Sequence, residues 1–274
     1  MVQLVTLGTG NPLPDPHRAG PATLVRAAGL DFLFDCGRGV LMRAAATGVL
    51  PAGLAAVLLT HLHSDHVTDF NDVVTMRWAM SLTPRPLPVY GPPGTERFVR
   101  RTLAMLEDDI GYRLAHHPDL EWEPECQVTE ATSGIVFDEG RIRITCEPTD
   151  HRPVHPTVGY RVEADGHSIV IAGDTVPCEG LDRLCAGADV YVQTVLHRPL
   201  VESIPVPRLQ DILGYHSSIE DAARTAARAG VGTLVLTHPI PSPAPGTEQD
   251  WIDAAATEFG GEVVLAHDGW ELTL

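Results

Sequence analysis

The stretch Thr60-His61-Leu62-His63-Ser64-Asp65-His66 decides how the rest of the chain is interpreted. Four of its residues carry side chains that bind metal ions, and the stretch directly follows the apolar run 55–59, which predicts a buried strand. α/β folds usually place their chemistry at the carboxyl ends of such strands. The pattern therefore predicts a metal site at a strand end, and the alternative is a polar loop with surface histidines.

The spacing within this stretch favours two ions. His61 and His63 alternate on one side of an extended segment, whereas Asp65 and His66 follow across a turn. One short loop can then supply imidazoles to one ion and a carboxylate plus an imidazole to a second. Imidazole and carboxylate together suit zinc, and also manganese or iron when the number of oxygen ligands increases.

Length and composition set the class of protein. The 274 residues, 44% of them hydrophobic, can bury a sizeable core, and we expect one domain over residues 1–274. No long apolar run predicts a membrane span and no leader pattern stands at Met1, so we expect a cytoplasmic protein. The net charge of −17 argues against a broad polyanion-binding surface.

Short β-rich runs alternate with helical stretches along the chain, which predicts an α/β fold built around sheets. The stretch 107–140 has no clear pattern and is interpreted as irregular. Helices are predicted over 40–47 and 94–106, and another is predicted to begin at a capping box of Ser217 and Glu220 and to end at Gly230. Strands are predicted over 2–7, 22–26, 31–35, 55–59, 142–147, 157–163, 168–172, 190–195 and 233–237.

The metal-binding stretch resembles the H-x-H-x-D-H motif of the metallo-β-lactamase superfamily. Three later segments resemble the remaining ligand motifs of that family, in the same order along the chain. This resemblance implies a four-layer αββα sandwich, with two mixed β-sheets flanked by helices. The matching segments are 61–66, Asp150-His151, Gly173-Asp174-Thr175 and Thr237-His238.

The resemblance also implies a set of ligands for two divalent ions, with Zn²⁺ expected and Mn²⁺ or Fe²⁺ as alternatives. Asp174 and a water would bridge the ions. Two cations about 3.5 to 4 Å apart lower the pKa of such a bridging water, which makes it a nucleophile. His155 is the alternative to His151 as a ligand. One ion is expected on His61, His63 and His151, and the other on Asp65, His66 and His238.

Within the superfamily the chain is most similar to the ribonuclease Z and arylsulfatase-like branch. The main evidence is Tyr215-His216-Ser217-Ser218, which resembles an element whose histidine is not a ligand but assists the departing oxygen. The resemblance thus implies catalytic roles for His216 and for Asp65, which is expected to hold the nucleophilic water. The alternative for His216 is a helix-entry histidine with no task. Further matches are Gly8-Thr9-Gly10, Asp35-Cys36-Gly37 and Gly159-Tyr160-Arg161.

The resemblance implies phosphodiester hydrolysis at the 3′ side of precursor tRNA, by a homodimer. One departure from the family pattern affects the substrate. Bacterial members carry a flexible tRNA-binding arm where this chain has only the short hairpin 162–168. Without the arm, tRNA would need another surface, and Arg97, Arg100 and Arg101 are either that surface or an ordinary solvated helix face.

Two other functions remain open. The first is a small-molecule esterase on the same site, acting on an aryl sulfate, a small phosphodiester or a lactone, with the Pro-rich stretch 200–213 as a lid beside His216. The second is a metal-binding protein without turnover, which would require a degenerate site. All seven ligand positions are filled, which favours an enzyme.

Overall fold

The computed structural model describes residues 1–274. Short 3₁₀ turns lie at Pro51–Gly53 and Asp211–Gly214. The helices are α1 (Val40–Ala46), α2 (Ser64–Val67), α3 (Phe70–Met80), α4 (Thr95–Met105), α5 (Glu107–His116), α6 (Glu179–Cys185), α7 (Arg198–Glu202), α8 (Pro207–Gln210), α9 (Ile219–Ala229) and α10 (Glu248–Ala256). The strands are β1 (Val2–Gly8), β2 (Ala22–Ala27), β3 (Leu30–Phe34), β4 (Leu54–Leu58), β5 (Leu87–Gly91), β6 (Cys126–Glu130), β7 (Gly134–Glu139), β8 (Ile142–His151), β9 (Val154–Ala164), β10 (His167–Ile171), β11 (Val190–Leu196), β12 (Thr233–Ile240), β13 (Glu262–Leu265) and β14 (Trp270–Thr273).

The strands form two seven-stranded sheets, and both are mixed. The first has the order β14-β1-β2-β3-β4-β5-β6, antiparallel from β14 to β3 and parallel from β3 to β6. The second has the order β13-β12-β11-β10-β9-β8-β7, parallel from β13 to β10 and antiparallel from β10 to β7. The parallel strands of each sheet therefore send their carboxyl ends to a common edge.

Three apolar cores divide the molecule into four layers. The central core lies between the sheets and contains Phe32 and Phe34 of the first sheet with Tyr160 of the second. A second core packs the first sheet against α1, α3 and α4, and a third packs the other sheet against α6, α9 and α10. The predicted αββα sandwich of two mixed sheets is confirmed. No helix has both the length and the apolar character needed to cross a membrane.

The interpretation of residues 107–140 as irregular was wrong. This stretch contains the helix α5 and the strands β6 and β7, which lie at the outer ends of the two sheets. α5 buries none of its residues, and β6 and β7 have none that is fully buried. Edge elements of this kind bury too little apolar surface to show a regular hydrophobic pattern.

The predicted capping box was one residue out of register. The N-cap of α9 is Ser218, whose hydroxyl accepts from Asp221 N at 3.1 Å, while the Asp221 carboxylate accepts from Ser218 N at 3.1 Å. Asp221 therefore takes the role that was assigned to Glu220. The predicted end of the helix at Gly230 is confirmed, because this residue is the C-cap in a left-handed conformation (φ 70°).

Two hydrogen bonds join the sheets beside the metal-binding stretch. The buried Tyr160 hydroxyl of β9 donates to the Leu59 carbonyl oxygen at 2.8 Å. The backbone amide of Val158, also on β9, donates to the Thr60 carbonyl oxygen at 2.9 Å. These bonds fix the second sheet against the strand end that precedes His61.

Candidate metal centre

The structure brings all seven predicted metal ligands together at the shared edge of the two sheets. His61 and His63 lie in the loop after β4, and Asp65 and His66 follow in α2. The other ligands come from the second sheet, and every side chain of the seven except that of His63 is buried. The second sheet supplies His151 as the last residue of β8, Asp174 from the loop after β10 and His238 from β12.

One group of donors contains His61, His63 and His151. His63 Nδ1 lies 3.2 Å from His61 Nε2 and 3.3 Å from His151 Nε2. In a tetrahedral zinc site with Zn–N bonds of about 2.0 to 2.1 Å, the nitrogens are about 3.3 Å apart. These three nitrogens are therefore spaced as ligands of a single ion.

The second group contains Asp65, His66 and His238. Asp65 Oδ2 lies 3.1 Å from His238 Nε2 and 3.6 Å from His66 Nε2. One oxygen of Asp174 lies between the groups, 3.5 Å from His66 Nε2 and 3.8 Å from both His61 Nε2 and His151 Nε2. Asp174 is thus the shared neighbour of both groups.

The site also fits metal ions because it contains buried polar atoms with no hydrogen-bond partner. His66 Nε2 and Asp174 Oδ1 are two of these atoms. A buried polar atom without a partner costs about 1 to 3 kcal/mol, so such atoms are rare in folded proteins. A bound cation would satisfy both, and the donors of each group lie within 4.8 Å of one another.

Hydrogen bonds behind the ligands fix which ring nitrogen faces the site. His66 Nδ1 donates to Asp35 Oδ2 at 2.8 Å, and His151 Nδ1 donates to the Tyr215 carbonyl oxygen at 2.8 Å. His61 Nδ1 lies 3.0 Å from the hydroxyl of Thr60. In each histidine Nε2 is left free to bind an ion, as in known metal sites where ligands are oriented from behind.

Asp35 is a site residue that the sequence reasoning did not assign. Its carboxylate accepts from the Thr60 amide and the Thr60 hydroxyl, both at 2.8 Å, in addition to His66. Its backbone has a φ of 60°, which is uncommon outside glycine. The available signal in the sequence was an acidic residue directly after the apolar run 32–34, a position like that of the metal-binding stretch after 55–59.

Burial favours the neutral form of the histidines in the first donor group, and this is the form that binds a metal ion. Burial lowers the pKa of His151 from 6.5 to about 4, and burial also lowers the pKa values of His61 and His63. These imidazoles are therefore neutral at pH 7 and offer a lone pair. Burial favours the neutral acid of Asp174, but His238 and His66 hold its pKa well below the usual range.

The sequence also predicted a catalytic role for His216 and offered His155 as the alternative ligand to His151. His216 is buried, and its Nε2 lies 3.2 Å from Asp174 Oδ2, so it borders the centre from the segment before α9. It belongs to neither donor group. His155, the alternative to His151, is exposed on β9 and also lies outside both groups.

Gly173, the residue before Asp174, lies against Thr60 of the metal-binding loop. Gly173 has a φ of 66°, and a Cβ atom there would lie 2.7 Å from Thr60 Cβ. The loop after β10 can therefore approach the metal-binding loop only because residue 173 lacks a side chain.

Comparisons with known proteins identify the family of this chain. Residues 31–239 match a family model described as the β-lactamase superfamily domain. The chain is 58% identical over 270 residues to ribonuclease Z of Mycolicibacterium paratuberculosis, covering 98% of this chain and 96% of that protein.

Solved structures share the fold. The metallo-β-lactamase fold protein YhfI of Bacillus subtilis has a TM-score of 0.76 at 21% identity, and the short form of human tRNase Z has 0.74 at 24%. Each alignment covers 99% of this chain and 98% of the other. The chain belongs to the metallo-β-lactamase superfamily and, within it, to the ribonuclease Z family.

Proposed function

We propose that this protein is a metal-dependent endoribonuclease that cleaves a phosphodiester bond at the 3′ side of precursor tRNA. The observation that carries the proposal is the position of Asp174, because one of its two carboxylate oxygens adjoins both donor groups. Such an arrangement suits a pair of ions that act on one phosphate. The relative of 58% identity that is named ribonuclease Z supports the choice of substrate.

The donor chemistry supports Zn²⁺ as the ion at both positions, because imidazole nitrogens outnumber carboxylate oxygens. His61, His63 and His151 would hold one ion, and Asp65, His66 and His238 the other, with Asp174 shared. When bound, the ions lower the pKa of a water and neutralise charge that develops on the phosphate.

Two side chains are proposed to handle water and protons. The buried Asp65 carboxylate accepts a hydrogen bond from the attacking water and so orients it toward phosphorus. As the water oxygen bonds to phosphorus and the P–O bond to the leaving oxygen breaks, the proton of the water passes to the Asp65 carboxylate, and His216 donates a proton from Nε2 to the leaving oxygen. Its Nε2 is held 3.2 Å from Asp174, which keeps the ring directed at the centre.

A small-ester hydrolase is the second candidate, and the segment before His216 favours it. The two-residue turn between β9 and β10, Asp165 and Gly166, does not distinguish the candidates, because the ribonuclease Z of 58% identity matches this chain over 96% of its own length. The segment 198–214, which holds α7 and α8, leads directly to His216 and leaves Leu200, Val206 and Leu209 exposed. An apolar surface there suits an aryl ester, an aryl sulfate or a lactone.

Three further properties are proposed from the family resemblance. They are a single catalytic domain over residues 1–274, assembly as a homodimer and a cytoplasmic location. Size-exclusion chromatography with light scattering tests the dimer, for which the expected mass is twice 29.5 kDa.

Turnover of three substrates tests the proposed function. The purified protein is assayed with a precursor tRNA transcript, bis-p-nitrophenyl phosphate and p-nitrophenyl sulfate. We expect a single cut at the 3′ side of the tRNA. An intact transcript, alongside rapid turnover of either small ester, would reject the tRNA-processing role in favour of the second candidate.

A further inference from the structure

Most basic side chains of this protein form an ion pair or a hydrogen bond, but a few form neither. All 19 are arginines, and 11 of them form ion pairs with carboxylates. Three more, Arg18, Arg77 and Arg85, donate to backbone carbonyl oxygens. The other five are exposed and have neither an ion pair nor a hydrogen bond, and they are Arg38, Arg97, Arg100, Arg101 and Arg208. We call these five the free arginines.

Every free arginine follows a strand whose carboxyl end points to the metal centre. Arg38 lies in the loop after β3, three residues beyond Asp35. That loop contacts the metal-binding stretch, because a Cβ atom at Gly37 would lie 2.7 Å from the Asp65 carbonyl oxygen. Arg208 lies in α8, on the segment between β11 and His216.

The remaining three free arginines lie on α4, which begins next to the metal-binding loop. A Cβ atom at Gly94, the N-cap of α4, would lie 3.3 Å from Leu62 Cδ1 and 3.7 Å from an Arg97 guanidinium nitrogen. Arg100 and Arg101 follow Arg97 at spacings of three and four residues, so the three share one helix face. The face leads away from the centre along the helix axis.

The charge of α4 contrasts with that of the whole chain. The chain carries −17, but α4 has three arginines and a single acidic residue, Glu96. A second carboxylate, that of Glu130, accepts from Gly94 N and Glu96 N at 2.8 Å, which confines it to the N-terminus of the helix. The middle of α4 around Arg100 and Arg101 therefore carries net positive charge, and the nearest acidic cluster along the chain, Glu107 with Asp108 and Asp109, begins in the first turn of α5.

We propose that the free arginines, and foremost the three on α4, bind the phosphate backbone of the substrate RNA beside the bond that is cut. Guanidinium groups suit this task because they can donate two parallel hydrogen bonds to one phosphate. The hairpin between β9 and β10 has a turn of only two residues and so offers the RNA no extended surface of its own. This inference rests on the proposed function, since it names the surface that holds that substrate.

The test compares two triple variants with the same loss of charge. One is Arg97→Gln/Arg100→Gln/Arg101→Gln. The control is Arg141→Gln/Arg143→Gln/Arg183→Gln, whose arginines are exposed but pair with Asp165, Asp138 and Glu147. The affinity of the metal-loaded protein for a tRNA transcript without a 3′ trailer is measured at several salt concentrations, and bis-p-nitrophenyl phosphate turnover is measured in parallel.

We expect the α4 variant to bind the transcript at least tenfold more weakly. The slope of log K against log salt should fall by about two to three, because each lost phosphate contact lowers it by about one. The control should retain wild-type binding, and both variants should hydrolyse the small ester at the wild-type rate. Unchanged binding by the α4 variant, or equal weakening in the control, would overturn the inference.

The outcome is separable from that of the proposed function. The transcript used for binding has no trailer to be cut, so affinity is measured without cleavage. If the wild-type protein binds this transcript through α4 but leaves precursor tRNA intact, the proposed cleavage fails while the RNA-binding surface stands. If it cuts precursor tRNA and the α4 variant binds normally, the surface fails alone.

Discussion

The two sheets contribute to the metal centre in different ways. The first sheet supplies His61, His63, Asp65 and His66 from one continuous stretch of six residues. The second sheet supplies its groups from three separate strand ends and from the segment before α9, and these are His151, Asp174, His216 and His238.

We call the groups from the first sheet the first side of the centre and those from the second sheet the second side. The two sides depend on different interactions. The first side is set by local backbone geometry and by Asp35, which holds both Thr60 and His66. The second side reaches its place only when the sheets pack across the central core and Tyr160 bonds to the Leu59 carbonyl. Variants that weaken one side, the other, or the link between them should therefore have different effects.

Removing the residue shared by both donor groups should have the largest effect. In Asp174→Ala the two groups lose their common carboxylate, so we expect metal content to fall below two ions per chain. The kcat should fall by about a thousandfold or more. His155→Ala, which removes an exposed histidine outside the centre, is the control and should behave as the wild type. Full metal content in Asp174→Ala would show that the groups do not depend on this bridge.

The next effect should come from the second side alone. His216→Ala should lower kcat by about a hundredfold to ten-thousandfold, because a general acid is lost, while metal content is unchanged. Elemental analysis and steady-state kinetics on the same preparation measure both quantities. A substrate with a better leaving group should be less affected, and equal losses for good and poor leaving groups would rule out the proton-donor role.

A weaker effect is expected from the support behind the first side. In Asp35→Asn the charge that orients His66 and Thr60 is removed, although the shape is preserved. Such supporting groups are worth about tenfold to a hundredfold in metal affinity. Titration with a zinc-competing chelator should show weaker binding of at least one ion, and an unchanged affinity for both would mean that Asp35 has only a structural role.

The smallest effect should follow from loosening the link between the sheets. Tyr160→Phe removes the buried hydroxyl that donates to the Leu59 carbonyl, at a cost of about 1 to 3 kcal/mol in the free energy of unfolding. Urea denaturation measures this loss, and kcat/KM should fall only a few-fold. If stability falls while kcat/KM is wholly unaffected, the placement of the second-sheet ligands relative to the first-sheet ligands does not depend on this bond.

The same contrast explains what could be predicted from the sequence. The metal-binding stretch is a local pattern, so its density of ligand residues was visible without a fold. The partners from the second sheet lie 85 to 172 residues beyond His66 along the chain, and only their order in the family motif identified them. Asp35 was missed because its task is visible only once β3 lies beside β4.

Regions with weak patterns were predicted least well. The edge elements α5, β6 and β7 bury little surface, so nothing in 107–140 distinguished them from loops. The capping box was misplaced because Ser217 and Ser218 are adjacent, as are Glu220 and Asp221, and either pair satisfies the motif. Only the backbone geometry distinguishes the two registers.

The central claim is that two ions share Asp174 between the donor groups. Anomalous X-ray diffraction from crystals of the zinc-loaded protein tests it most directly. We predict two peaks about 3.5 to 4 Å apart, one beside His61, His63 and His151 and the other beside Asp65, His66 and His238, with Asp174 touching both. A single peak, or two peaks without Asp174 between them, would contradict the account.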